Sequence, residues 1–331
     1  RIVAEASKTV TDNKVTRQDG SQITVETMTT TDVCQAYVIP YTKPTMCAII
    51  DLYRDKTDDT GKPYFAAAAV FVSHAWKYKF VYVVDALANH FKTSQETIVW
   101  FDVFSVNQHS TGQKDFDWWS TTFQDAIRKF GRTVMVLSPW RDPVPFTRAW
   151  CLWELYSTVI TGCKFEVAFS GRDRQEFFKE VNHDSLNAMK AKIDVSRSES
   201  FDPKDKELIM AAIAKQTTCS ELNKRVFQEI RDWMTSVLEA ELANLQQADT
   251  FDDANVKIRN LRNLATLYDN QGRYDEAEQE CLSLIPIVTR ALGPEDSETL
   301  EARMALADVF ISQRKLEEAV EELHYVMNIC A

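Results

Sequence analysis

The sequence predicts an α/β domain with a parallel sheet, followed by an all-α helical region and an α-solenoid. Two observations lead to this fold class. Between residues 65 and 170, short apolar runs alternate with helix-length segments, as in a parallel sheet covered on both faces. After residue 255, a helix–turn–helix pattern repeats, which is typical of stacked helical pairs.

Four runs are predicted as strands because they are apolar on both faces. They are FAAAAVFVS, TIVWFDVFS, RTVMVLS and KFEVAFS, at 65–73, 97–105, 132–138 and 164–170. A short apolar run alone does not distinguish a strand from a buried helix. The alternation with helix-length segments at 79–91, 118–130 and 147–160 favours strands.

We predict four segments along the chain. They are an N-terminal extension (1–64), the α/β domain (65–175), a helical connector (176–250) and the repeats (251–331). In the extension, Asp19-Gly20 before an apolar alternation at 23–25 indicates a hairpin, and residues 46–55 indicate a short helix. In the connector, Asp202-Pro203 predicts a helix start, and 206–216 and 222–245 have apolar spacing near that of a helix.

Residues 264–277 recur at 306–319. Each copy has an apolar first helix, a turn (NQGR or SQRK) and an alanine early in the second helix, at Ala277 or Ala319. This pattern resembles the tetratricopeptide repeat (TPR), specifically the long-period kind found in kinesin light chains. The resemblance implies a protein or peptide ligand. Since fewer than three repeats fit and the chain starts at Arg1 rather than Met, we expect a piece of a longer polypeptide whose array continues.

Composition excludes some classes of partner. There are 38 Lys and Arg against 49 Asp and Glu, a net charge of −11, so we expect no nucleic acid, although a local basic pocket for one nucleotide stays open. Seven scattered cysteines without a CxxC pair predict free thiols in a reducing, cytoplasmic setting. No HExxH spacing and no long apolar stretch occur, so we expect no metal site and no membrane span.

The candidate site lies at one edge of the predicted sheet, because ligands of parallel α/β sheets bind beyond the carboxyl ends of the strands. The polar and aromatic residues that follow the strands are Ser73, His74, Trp76, Asp102, Ser105, Asn107, Gln108, Ser138, Pro139 and Trp140. The helix at 147–160 adds Trp150 and Glu154, which are four residues apart and share a helix face.

Glu154 is unusual because its helix is apolar nearly all round, which predicts burial. A buried carboxylate is costly unless it is hydrogen-bonded, paired or facing a cleft. Two interpretations therefore stay open. Glu154 either pairs with Arg148 or Arg141, or caps a backbone group, and is structural; or it is a functional group at the edge of the sheet.

Three stretches resemble the TIR (Toll/interleukin-receptor) domain. They are AVFVSHAW at 69–76, VWFDVFSVNQ at 99–108, and TVMVLSPW followed by RAWCLWEL between 133 and 155. The resemblance implies a TIR-type fold with a flavodoxin-like parallel sheet. It also implies that Glu154 is the catalytic carboxylate, since NAD-cleaving members carry this Glu four residues after the Trp. His74-Ala75-Trp76 departs from the family's usual aromatic-Arg pair.

The chemistry that this resemblance implies is cleavage of the nicotinamide–ribose bond, with NAD⁺ as substrate and no cofactor. Glu154 would stabilise an oxocarbenium-like transition state. Ser73, His74, Trp76, Asp102, Ser105, Asn107 and Trp150 are the expected nucleotide contacts, with Asp102 alternatively orienting a loop.

Three functions follow from the TIR and TPR resemblances. The first is a self-associating enzyme of innate immune or cell-death signalling, regulated through its repeats. The second is a non-catalytic adaptor, and the third is a sensor that binds NAD without turnover.

Overall fold

The computed structural model describes residues 16–17, 20–94, 96–111, 114–181, 183–200, 203–245 and 251–330. Residue contacts divide the chain into two units. The α/β unit comprises residues 1–174 and 189–229, and the helical unit comprises residues 175–188 and 230–331.

The strands of the described residues all lie between residues 70 and 168. The strands are β1 Val70–Ser73, β2 Val99–Trp100, β3 Arg132–Val136 and β4 Lys164–Ala168. The helices are α1 Thr30–Val33, α2 Ile39–Thr42, α3 Ile49–Tyr53, α4 Phe80–His90, α5 Asp102–Ser105, α6 Phe116–Phe130, α7 Ala149–Ile160, α8 Gly171–Glu180, α9 His183–Lys192, α10 Pro203–Gln216, α11 Cys219–Leu245, α12 Phe251–Gln271, α13 Tyr274–Leu292, α14 Ser297–Ser312 and α15 Leu316–Cys330.

The four strands form one parallel sheet in the order β2-β1-β3-β4. Alternate side chains of β1 enter different cores. Val70 and Val72 belong to a large cluster with helix residues on one face, whereas Phe71 packs with Phe123 and Ile127 of α6 on the other. Both faces are therefore covered, and the predicted four-stranded parallel sheet is confirmed.

The predicted strand limits were too wide at two places. β1 begins at Val70 rather than at residue 65, and the run 97–105 forms only a two-residue strand before it becomes helix α5. At the start of α5, the Val103 amide donates to Asp102 Oδ1 at 2.7 Å. The Phe101 amide donates to Ser105 Oγ at 3.4 Å. These side-chain acceptors favour a helical turn over continued strand.

Helix α6 shows how local sequence fixes an element. Asp115 precedes the helix, and its side chain accepts from the Trp118 amide, as an N-cap does. Gly131 follows the helix at φ +68° and its amide bonds back to Ile127 O. Glycine adopts this left-handed conformation without a Cβ clash, so α6 stops immediately before β3.

The helical unit contains two helical pairs, α12–α13 and α14–α15, and their turns are equivalent. Gly272 and Arg314 hold the same repeat position, and both have positive φ, +74° and +64°. Arg273 lies over the ring of Tyr268 at 4.1 Å, while Lys315 lies over Phe310 at 5.6 Å. The predicted repeat, with its turns at 270–273 and 312–315, is confirmed.

The extension and connector contain the predicted helices α3, α10 and α11. Of the predicted hairpin, Asp19 lies outside the described residues; Gly20 has φ +83°, and Thr16 and Gln22 form an isolated antiparallel bridge. Asp202 also lies outside the described residues, and α10 begins at Pro203 as expected. The four predicted segment boundaries stay a prediction.

All seven cysteines are free thiols, three of them buried and Cys330 exposed. In the part of the chain that the structure describes, no helix combines the length and the apolar content needed to cross a bilayer.

Candidate functional site

The candidate site lies where the order of the strands reverses. From β1 the chain goes to β2 on one side and later to β3 on the other, and such a switch point opens a crevice beyond the strand ends. Ser73 is the last residue of β1. Its hydroxyl donates to Glu154 Oε2 on α7 at 2.5 Å, so the strand end and the helix meet through these two side chains.

Glu154 is 8% exposed. Burial raises the pKa of its carboxyl to about 8; the Ser73 hydrogen bond opposes this rise, and the negative charge of Asp102 adds to it. Arg148 lies 3.7 Å from Glu199 instead. Among the described residues, Glu154 has no ion pair, so the structure does not support pairing with Arg148 or Arg141. Around neutral pH the carboxyl of this closed site is mostly protonated.

Asp102 and Trp76 form a second contact at the same edge. Trp76 Nε1 donates to Asp102 Oδ2 at 2.7 Å, and the Val103 amide donates to Oδ1. Two N–H donors hold the Asp102 carboxylate, whereas Glu154 has one hydroxyl donor. The two acidic groups therefore have different surroundings, the arrangement expected where they play different roles.

His74 follows Ser73 and is buried, with its ring stacked on Phe101 at 4.4 Å between centroids. Burial lowers the pKa of His74, and the charge of Asp102 only partly opposes this. The imidazole is therefore neutral at neutral pH. Its Nε2 has no hydrogen-bond partner among the described residues, so it can serve a ligand as donor or acceptor.

Cys151 is a member of the site that sequence reasoning missed. It lies three residues before Glu154, hence on the same helix face, and its Sγ donates to the His74 carbonyl at 3.6 Å. Burial, followed by the charge of Glu154, raises the pKa of this thiol well above its ordinary value. Cys151 is therefore a neutral thiol and not an activated nucleophile.

Three predicted contacts lie elsewhere. Ser105 Oγ accepts from the backbone of Phe101, and Asn107 Nδ2 donates to the Met46 carbonyl at 2.8 Å. Trp150 Nε1 donates to Asp205 at 3.0 Å. The Trp150 ring packs in the aromatic cluster that contains Phe71 and Phe123. Among the described residues, none of these three side chains forms a hydrogen bond with Glu154 or Ser73.

A separate polar cluster lies after β3 and β4. The sequence analysis named two of its members, Ser138 and Trp140, and the Trp140 amide donates to Asp173 Oδ1 at 3.4 Å. The hydroxyls of Ser138 and Ser170 both donate to Asp173 Oδ2, and the Asp173 amide donates back to Ser170 Oγ at 3.1 Å. This arrangement caps the start of α8 and fixes the strand ends beside it.

No group of three or more His, Cys, Asp or Glu side chains that could hold a metal ion occurs among the described residues.

The paired helices with equivalent turns and buried small residues such as Ala277 and Ala319 define α12 to α15 as a helical-repeat array. Residues 257–323 match the tetratricopeptide repeat family. Repeats of this class suggest binding to another protein. No curated protein and no solved structure matches the chain.

Proposed function

We propose that the α/β unit is a TIR-type NAD⁺ glycohydrolase or ADP-ribosyl cyclase, and that the repeats bind a protein that regulates it. The observation that carries the proposal is the Ser73–Glu154 contact. It places a buried carboxyl, for which the described residues offer no cation partner, at the switch point of a parallel sheet. Buried acids with shifted pKa values at such a crevice are typical of catalytic groups.

The strand order supports a flavodoxin-like fold. The order β2-β1-β3-β4 corresponds to the first four strands of the 2-1-3-4-5 arrangement, whose ligands bind at the β1/β3 switch point. Ser73 and Glu154 lie beside this point. The stretches between residues 69 and 155 that resemble a TIR domain include both Ser73 and Glu154.

Cleavage of the nicotinamide–ribose bond requires a carboxylate beside the ribose. A bound nicotinamide ring is cationic, so it favours the ionised form of Glu154. When the C1′–N bond breaks, its electron pair leaves on nicotinamide, and no general acid is needed. Ionised Glu154 stabilises the positive charge that develops on the ribose. Ser73 orients the carboxylate, and neutral His74 offers a hydrogen bond.

Access to Glu154 needs a movement, because only 8% of the residue is exposed. The hydrogen bond from Trp76 to Asp102 links the loop after β1 to α5. Breaking this hydrogen bond would open the edge of the sheet beside Glu154. We propose that self-association of the α/β unit drives the opening. A cytoplasmic role in innate immune or cell-death signalling belongs to the same proposal.

The test is nicotinamide release from NAD⁺ by the full chain, over a concentration range that promotes self-association. Glu154→Ala should abolish release, while Glu207→Gln serves as matched control because Glu207 is an exposed acid of the same unit. Release that survives in Glu154→Ala, or none by the wild type at any concentration, rejects the enzyme.

An adaptor is the second candidate, favoured by the match to a protein-binding repeat. It predicts no nicotinamide release but self-association that is unchanged in Glu154→Ala. Saturable NAD⁺ binding without release would instead identify the sensor.

A further inference from the structure

A second cleft, of about 250 Å³, lies between α6 and α10 of the α/β unit. Its lining comes from α6, α7 and α10. The lining includes Phe116, Asp117, Trp153, Leu208, Ala211 and Lys215. The volume is below the roughly 300–1,000 Å³ typical of pockets for drug-sized ligands, so the cleft suits a small molecule and not a dinucleotide.

One part of the cleft is apolar. The rings of Phe116 and Trp153 meet edge to face, with centroids 6.2 Å apart. Leu208 and Ala211 face the cleft from α10, and Leu208 is 43% exposed although it is a large apolar side chain. Covering these groups would remove apolar surface from water, which is favourable.

The rim carries one charge of each sign. Asp117 lies in the first turn of α6 and Lys215 in the last turn of α10. The helix dipole favours an acid in the first turn and a base in the last turn. It does not explain why both charged side chains line the same cleft. Neither side chain has an ion pair among the described residues, so both charges are available to a ligand.

Trp153 adds an unused donor. The residue is 2% exposed, and its indole Nε1–H has no hydrogen-bond partner within the described part of the chain. A buried N–H without an acceptor is unfavourable. A ligand acceptor that met this N–H after a small movement of the Trp153 ring would relieve this cost.

We propose that this cleft binds a free α-amino acid with an apolar side chain. Its ammonium group pairs with Asp117, and its carboxylate pairs with Lys215 and accepts from Trp153 Nε1. Its side chain packs on Phe116 and Leu208. A zwitterion carries both charges a few bonds apart, so one small molecule can pair with both side chains that line the cleft.

The experiment is calorimetric titration of the full chain with L-leucine and with L-phenylalanine. Two analogues each remove one charge of the ligand: N-acetyl-L-phenylalanine lacks the ammonium and L-phenylalanine amide lacks the carboxylate. Binding of the free amino acids should be saturable, and each analogue should bind about tenfold more weakly, which corresponds to one lost charge-assisted contact.

Variants assign the contacts. Lys215→Gln should weaken L-phenylalanine about tenfold and leave L-phenylalanine amide unchanged; Asp117→Asn should weaken L-phenylalanine and leave the N-acetyl analogue unchanged. Lys129→Gln is the matched control, because Lys129 is exposed on α6 and outside the cleft. Trp153→Phe keeps an aromatic ring, lacks the N–H, and should weaken binding severalfold.

Absence of saturable binding up to about 10 mM, a range that covers the weak affinities of fragment-sized ligands, would overturn the proposal. So would equal binding of the free amino acid and both analogues. Neither result bears on nicotinamide release, which depends on Glu154.

Discussion

Replacing Glu154 with glutamine should change how the stability of the α/β unit depends on pH. Burial raises the pKa of Glu154 to about 8 from its ordinary value of 4.5. Between these values the folded protein holds a proton that the unfolded chain has released. Stability therefore falls as pH rises through this window. The wild type loses this contribution and Glu154→Gln does not.

The magnitude follows from the shift. Each pH unit inside the window changes the free energy of unfolding by about 1.4 kcal/mol. From pH 5 to pH 7.5, the wild type should lose about 3 kcal/mol more than the variant. Ser73 can donate to a glutamine oxygen as it does to Glu154 Oε2, so the variant keeps the contact. Contributions from all other titrating groups cancel in the comparison.

Urea unfolding followed by tryptophan fluorescence measures the effect. Seven of the eight tryptophans lie in the α/β unit, and Trp233 alone belongs to the helical unit, so the signal reports mainly on the unit that contains Glu154. Glu207→Gln is the control and should follow the wild type. If the variant and the wild type differ by the same amount at pH 5 and pH 7.5, within about 0.5 kcal/mol, the assignment of a buried, protonated Glu154 is refuted.

Three further predictions follow. If the chain cleaves NAD⁺, kcat/KM should rise with pH towards about 8, because the free enzyme must ionise Glu154; a flat profile from pH 6 to 9 would contradict this. Burial alone would raise the pKa of Glu166, but hydrogen bonds from His90, Arg132 and Lys164 outweigh it and hold the pKa far below its ordinary value. Glu166→Gln should therefore cost about 3 kcal/mol at pH 7 in urea unfolding, with a deficit that shrinks as pH falls below about 4.5; a deficit independent of pH would argue against the ion pairs. In the repeat turns, Gly272→Ala should cost about 1 kcal/mol and Arg314→Gly should gain a few tenths to 1 kcal/mol, because both positions have positive φ; thermal unfolding followed by helical circular dichroism measures both, and shifts of the same sign would show that φ is not the cause.

The sheet was predictable because buried parallel strands must be apolar on both faces, and Val70, Phe71 and Val72 show both faces covered. The ends of the strands were not predictable, because they depend on side-chain hydrogen-bond acceptors near each end. Asp102 and Ser105 turn the second apolar run into a helix, although their neighbours are as apolar as those of β1. The repeat was predictable because its two copies can be compared with each other within the sequence.

The candidate site was predictable in part. The rule that ligands lie beyond strand ends selected Ser73, and the apolar helix singled out Glu154; their hydrogen bond joins residues 81 positions apart. Trp150 shows where prediction of the site from sequence spacing fails. Spacing fixes the angle between two side chains on a helix, but the partner at Asp205, 55 residues away, decides where the ring lies. Cys151 was missed because its relevance depends on the His74 carbonyl.

The helical unit includes residues 175–188, which the ribosome makes well before the rest of that unit. Phe177 and Phe178 are buried in the folded protein, and Phe177 lies 5.7 Å from the ring of Trp233. At about 5–20 residues per second, the intervening stretch takes roughly 3–11 s to synthesise. For that time two adjacent phenylalanines lack their final cover on the nascent chain. This segment is therefore where we expect a chaperone to bind during translation, and where slow synthesis would favour aggregation.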